Sequence, residues 1–157
     1  VATREELKVL FLYNFAKFVR WPASAFATKE SPIRVGVLDD ETRHTAIGLV
    51  AGLKAQGRHV EFETCLTTED MQSCHILYLN IRNDLHVKSA LAQVDGRPIL
   101  TVGDGTAFNR WGGIIVFQEQ EQRLRFAVRL DAAQRAGLHV SSQLLEIGSR
   151  YKETENP

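Results

Sequence analysis

The chain has 157 residues, 44% hydrophobic and 24% charged, a globular composition long enough to bury a core without staples. Nineteen Lys and Arg oppose nineteen Asp and Glu, so the formal net charge is zero and neither nucleic acid nor an anionic membrane surface has an electrostatic footprint to meet. No apolar run approaches the ~18 residues of a spanning helix, and the absence of an initiator Met and of a charged-then-apolar leader fits the expectation of a mature form whose signal peptide has been removed.

The first element is a helix over residues 3–20. Thr3 and Glu6 have the capping-box spacing, in which each side chain reaches an orphan N–H at the helix start. Leu7, Leu10, Phe11, Phe15 and Phe18 recur at i, i+3 and i+4. Val9, Leu12, Tyr13, Ala16 and Val19 extend the apolar coat, which Lys8, Asn14, Lys17 and Arg20 interrupt. A helix this apolar is interior to its own domain or packs on another chain. Trp21-Pro22 ends it, because a residue before proline is pushed out of the α region. Phe11, Phe15, Phe18 and Trp21 are therefore candidates for a dimer interface, with core packing the competing role for Phe11 and Phe15.

A loop with Ala, Ser and Thr spans 23–32. Ile33–Leu38 (IRVGVL) reads as a strand apolar enough to be interior. Asp39, Asp40 and Thr42 offer N-caps for a helix to about Lys54, closed by Gln56-Gly57. Arg58–Phe62 is a second strand, a short turn or helix starts at Thr67, Thr68 and Asp70, and His75–Leu79 (HILYL) is a third strand. Asp84–Val94 is a helix closed near Gly96, Pro98–Val102 a fourth strand, Thr106–Arg110 one helical turn, and Gly113–Phe117 a fifth strand. Then Leu124, Phe126, Val128 and Leu130 alternate with Arg123, Arg125, Ala127 and Arg129, a strand with one wet face. It follows the fifth strand across Gln118–Gln122, a polar loop of hairpin length. Asp131 caps a short helix through Arg135, and Ser141 or Ser142 caps a last one carrying Leu144, Leu145 and Ile147. The alternation predicts an α/β protein with a Rossmann-like three-layer fold. Its sheet is expected to be mostly parallel, of roughly five to six strands, with an antiparallel hairpin at one edge. Residues 1–150 are expected to form one domain, and 151–157 a frayed polar tail.

Few residues carry readable chemistry. Asp39-Asp40 sits at the carboxyl end of the first strand, where α/β folds place ligands, but a helix N-cap is the plainer role. Gly103-Asp104-Gly105 follows a strand and is able to cradle a phosphate on backbone N–H groups; without GxGxxG or a GKS/GKT sequence, a tight turn is the simpler account. Asp39, Asp40, Gly103, Asp104 and Gly105 together are the candidate ligand cleft. The five histidines show no HxH or HxxxH spacing, so no local metal clip is visible, and no cofactor is expected. No GxSxG elbow or nucleophile–base pair is readable, so the chain is not expected to be an enzyme. Arg123, Arg125 and Arg129 form one stripe, which serves either as a partner face or as the charged defence of an edge strand. Cys65 and Cys74 are either a local disulfide or two buried thiols.

Four segments in order, LYNFAKFVRWP (Leu12–Pro22), CHILYLN (from Cys74), ILTVGDGTAFNRWGGIIVF (Ile99–Phe117) and RLRFAVRLDAAQRAGLHVSSQLLEIG (Arg123–Gly148), resemble the YfiR-like family and cover most of the chain. The resemblance implies a secreted protein held in the periplasm, with a Rossmann-like sheet, a homodimeric state and no catalytic residues. It implies a regulator that represses an inner-membrane diguanylate cyclase by binding its periplasmic part, which lowers cyclic di-GMP and biofilm formation. The alternative is a periplasmic small-molecule binding or sensor module feeding a signalling membrane protein. Direct membrane insertion and nucleic-acid binding are not expected. The oxidising compartment so implied favours a Cys65–Cys74 disulfide. Cys74 stands at a family cysteine position, Cys65 does not stand at a standard partner position, and the second cysteine pair that some members carry in the region of Phe108–Gly113 is absent here.

Overall fold

The computed structural model describes residues 2–150, without the side chains of 106, 107, 109, 149 and 150; the tail at 151–157 lies outside the described residues. The capping box forms, with Thr3 N–H donating to Glu6 Oε1 at 2.9 Å and Glu6 N–H to Thr3 Oγ1 at 3.1 Å. It starts α1 (Arg4–Phe18). The chain then runs through β1 (Val19–Arg20), β2 (Ile33–Val37), α2 (Asp40–Val50), β3 (Lys54–Ala55), β4 (Arg58–Thr64), α3 (Thr68–Gln72), β5 (Ile76–Leu79), α4 (Asp84–Gln93) and β6 (Leu100–Asp104). It finishes with α5 (Gly105–Arg110), β7 (Ile115–Gln120), β8 (Arg123–Val128), α6 (Leu130–Arg135), β9 (His139–Val140), α7 (Ser142–Ile147) and β10 (Ser149–Arg150).

The sheet order is β10-β8-β7-β6-β5-β2-β4-β3, and β1 pairs with β9 apart from it. The sheet is mixed and has eight strands, where the hydrophobic pattern predicted fewer strands and mostly parallel pairing. β3 and β10 are two residues long and carry no readable period, so the pattern missed both edges. β3 folds back antiparallel on β4, which also stops α2 at Val50, short of Lys54. Gly52, at φ 79°, makes the turn that residues with a Cβ adopt reluctantly. At the other end β7 and β8 form the expected hairpin, with Glu121 and Gln122 at positive φ in its two-residue turn. The hairpin is not at the edge along its whole length, because β10 pairs in parallel with Ala127 and Val128.

Between the antiparallel pairings, β4, β2, β5, β6 and β7 are parallel. The chain steps from β2 outward to β4, then crosses back to β5 on the other side of β2. Side chains alternate between two cores accordingly. Val35, Val37, Ile76, Tyr78, Val102 and Phe117 pack with α1, α2 and α7; Leu77, Leu79 and Val116 pack with α4 and α5. The centre of the first core is a cluster of rings. Phe15 lies 5.0 Å from Phe126 and 6.0 Å from Phe117, and Phe11 lies 5.4 Å from Phe126. Burying each such side chain contributes on the order of 2–3 kcal/mol. This answers why α1 is apolar nearly all round: it lies on the sheet and is flanked by α2 and α7.

Candidate functional site

The reversal of winding between β2 and β5 leaves a crevice beyond the carboxyl ends of these strands, where ligands bind in open α/β sheets. A cavity of about 770 Å³ lies at that end, lined by residues of α1, α2, β5, the segment after β5, the starts of α4 and α5, β6, β7 and β8. Ligand pockets are typically ~300–1,000 Å³. Its base is an ionic and aromatic group. Tyr78, on β5, donates its hydroxyl to Asp104 Oδ2 at 2.9 Å. Lys8, on α1, places Nζ 3.3 Å from Asp104 Oδ1 and 5.8 Å from the centre of the Phe117 ring. Burial, followed by the Asp104 charge and hydrogen bond, pushes the Tyr78 phenol well above its usual range. Tyr78 therefore stays protonated and acts as a fixed donor that orients Asp104. At the rim Arg4 Nε pairs with Glu119 Oε1 at 2.9 Å, tying the start of α1 to the β7–β8 hairpin.

Of the five residues expected in a cleft, Asp104 and Gly105 line this one. Gly103 does not. A Cβ there would collide with the ring of Phe108, and one at Gly113 would collide with the same ring, so the two glycines sandwich Phe108 instead of cradling a ligand. Asp39 caps α2, accepting from Thr42 N–H at 2.6 Å. The Thr42 hydroxyl and amide, with Asn80 beside them, hold its carboxyl below the usual range. Asp40 is spent on the Thr64 hydroxyl, which donates to it at 2.7 Å, and on Arg43 at 3.6 Å. Residue-level reading missed Lys8, Tyr78 and Phe117, which come from three separate elements. The available signals were faint: Lys8 as a break in the apolar coat of α1, and Tyr78 as the one hydroxyl in HILYL.

The other expected sites are dispersed. Phe15 is fully buried inside the chain, so it cannot reach a second copy, and Trp21 is committed to His75, its indole N–H donating to the carbonyl at 3.0 Å. Phe11 and Phe18 are half-buried and remain at the surface. Arg123 and Arg125 point outward from β8; Arg129 lies past its end, mostly covered and 3.8 Å from Asp131, so the stripe shortens to two. Cys65 and Cys74 are buried free thiols with their sulfurs 3.5 Å apart. Among the described residues, no group of three His, Cys, Asp or Glu is placed to hold a metal, and no helix is long and apolar enough to cross a membrane.

A sequence profile described as YfiR/HmsC-like matches residues 5–149. The chain belongs to the YfiR/HmsC-like family. No curated protein sequence matches this YfiR/HmsC-like chain. Among solved structures it is similar to a conserved domain protein from Vibrio cholerae O1, at TM-score 0.60 and 13% identity, a likeness of fold alone. The match covers 96% of this chain and 60% of that one, so this chain spans well under the whole of that relative.

Proposed function

We propose that this YfiR/HmsC-like protein is a periplasmic, non-enzymatic regulator. It binds the periplasmic part of an inner-membrane diguanylate cyclase and holds it inactive, lowering cyclic di-GMP and biofilm formation. The observation that carries this reading is the family match across residues 5–149. Arg123 and Arg125, side by side on the outer face of β8, are the cyclase face in this reading. The exposed parts of Phe11 and Phe18 on α1 are the dimer contact, and the doubly wound core is a Rossmann-like platform for both. In the oxidising periplasm Cys65 and Cys74 form a disulfide. The test is cellular cyclic di-GMP in the source bacterium with the gene deleted, then restored with and without an export signal. A rise on deletion that only the exported protein reverses supports the brake; no change in any strain overturns it.

A second reading is favoured by one observation, the cavity at the reversal between β2 and β5. In it the protein is a small-molecule binding module that feeds a signalling membrane protein.

A further inference from the structure

The cleft already holds one ammonium group, that of its own Lys8. The two oxygens of Asp104 are served unequally. Oδ2 has the Tyr78 hydroxyl, whereas Oδ1 is shielded from water, has no hydrogen-bond donor, and meets Lys8 Nζ at 3.3 Å as an ion pair. A carboxylate oxygen out of water with an unmet acceptor position favours any cationic donor that reaches it. The Phe117 ring faces the same position, and a ring face attracts ammonium by its quadrupole. The other charges on the wall are matched: Glu119 pairs with Arg4 and Asp84 with Arg110, which leaves Glu5 and Asp104 against Lys8 and Arg82. Beside this group the rest of the 770 Å³ is open, with Val9 and Leu124 on its apolar side.

We propose that this cleft binds a small ligand bearing a primary ammonium on an apolar body. The ammonium takes the place of Lys8 Nζ between Asp104 Oδ1 and the Phe117 ring, and the body lies against Val9 and Leu124. This rests on the second reading above and adds the class of ligand to it. Lys8 is carried by α1, the helix that also presents Phe11 and Phe18. Displacing Lys8 releases one of the ties between α1 and the sheet, which gives the ligand a route to the surface of that helix.

The test is an NMR titration of the full chain with 2-phenylethylammonium and, separately, with 3-phenylpropionate. The amides of Thr45, Gly105 and Phe117 report the cleft. The indole N–H of Trp21, bonded to His75 at the opposite end of β5, is the remote control. The expected result is saturable shifts at the cleft amides, with the ammonium at least tenfold tighter than the carboxylate. Asp104→Asn should erase the preference. Lys8→Met, which removes the internal competitor and leaves Asp104 in place, should tighten the ammonium several-fold. Preferential binding of 3-phenylpropionate at the cleft, or weaker ammonium binding in Lys8→Met, overturns the ammonium site and leaves the binding-module reading standing. No cleft shift with either compound at ~10 mM, weaker than any useful affinity, overturns both.

Discussion

Oxidation of the Cys65–Cys74 pair is expected to raise the melting temperature by roughly 5–10 °C. The two sulfurs lie 3.5 Å apart, nine positions apart in sequence, on either side of α3. Forming a bond of ~2.05 Å needs an approach of about 1.5 Å, within reach of side-chain rotation. Closing a loop of this size removes roughly 2.5 kcal/mol of chain entropy from the unfolded state. In a protein of this length each kcal/mol moves the midpoint by roughly 2–4 °C, which gives the range above. The chemistry is poised for it. The hydrogen bond between the two thiols lowers that of Cys65 and, followed by burial, raises that of Cys74, whose S–H also reaches the Asp70 carbonyl at 3.2 Å. Cys65 is then the attacking thiolate, and bond formation should quicken as pH rises. Calorimetry of the protein poised in reduced and in oxidised glutathione reads the shift, and mass spectrometry reads the loss of two hydrogens. Cys65→Ser should show neither. A bond confirmed by mass with no rise in midpoint refutes the loop argument. Persistence of free thiols at an oxidising poise refutes the disulfide itself.

Gly36 faces the same pair: a Cβ there would press on both sulfurs, at 2.6 Å from Cys65 Sγ, with Leu77 at 3.2 Å. Gly36→Ala should therefore cost about 1–3 kcal/mol by overpacking, read as a lower urea midpoint, and an unchanged midpoint would mean the pair has slack. His75 accepts the Arg34 N–H on Nδ1 at 3.0 Å and donates from Nε2 to the Ala25 carbonyl at 2.9 Å, so it is neutral. Burial, and the charges of Arg34 and Arg58, hold its pKa below the usual 6.5. Its contribution is present above pH 6.5 and is lost as pH falls from there towards the folded value, because the unfolded chain then binds the extra proton. Melting midpoints from pH 7.5 down to 5 should fall in the native chain and lose this slope in His75→Gln; a parallel fall in both would assign the slope elsewhere. Phe15→Ala should cost about 3–5 kcal/mol in urea unfolding, since the ring is fully enclosed. Phe18→Asp should give a monomer in sedimentation if α1 is the self-association surface, and a dimer that survives at low concentration excludes Phe18 from the contact.

The parts of the fold that were legible in the sequence are those with a long period. The capping box and coat of α1, the interior strands and the β7–β8 alternation all follow from burial on one or two faces. The sheet edges were not legible, because two-residue strands such as β3 and β10 are held by tertiary contacts and have no pattern of their own. The cap of α6 shows the same limit: Asp131 was the expected N-cap, but Arg129 occupies that position and Asp131 lies in the first turn. Gly103 was legible as a glycine requirement and misread as to cause, since the ring it must clear, Phe108, is inserted from a neighbouring helix and not from a ligand.

The cleft was legible in only two of its lining residues, Asp104 and Gly105, for a related reason. A sequence shows which residues end a parallel strand, and so it located Asp104 and Gly105. It does not show which outside helix closes the crevice. Here that helix is α1, which precedes the whole sheet in the chain and lies across it to bring Lys8 to Asp104. The apolar coat of α1 reads as packing, and packing is what most of it does. Its lysine facing the cleft, Lys8, is then costly to keep unless it is paired, and the pairing with Asp104 answers that cost. If the ion pair served packing alone, an apolar pair of similar size would hold α1 equally well. The open volume beside it, and the uncovered edges of Phe11 and Phe18 on the same helix, are what a purely structural pair leaves without a role. α1 touches both the cleft, through Lys8, and the surface, through Phe11 and Phe18, and so is able to make occupancy of the first felt at the second.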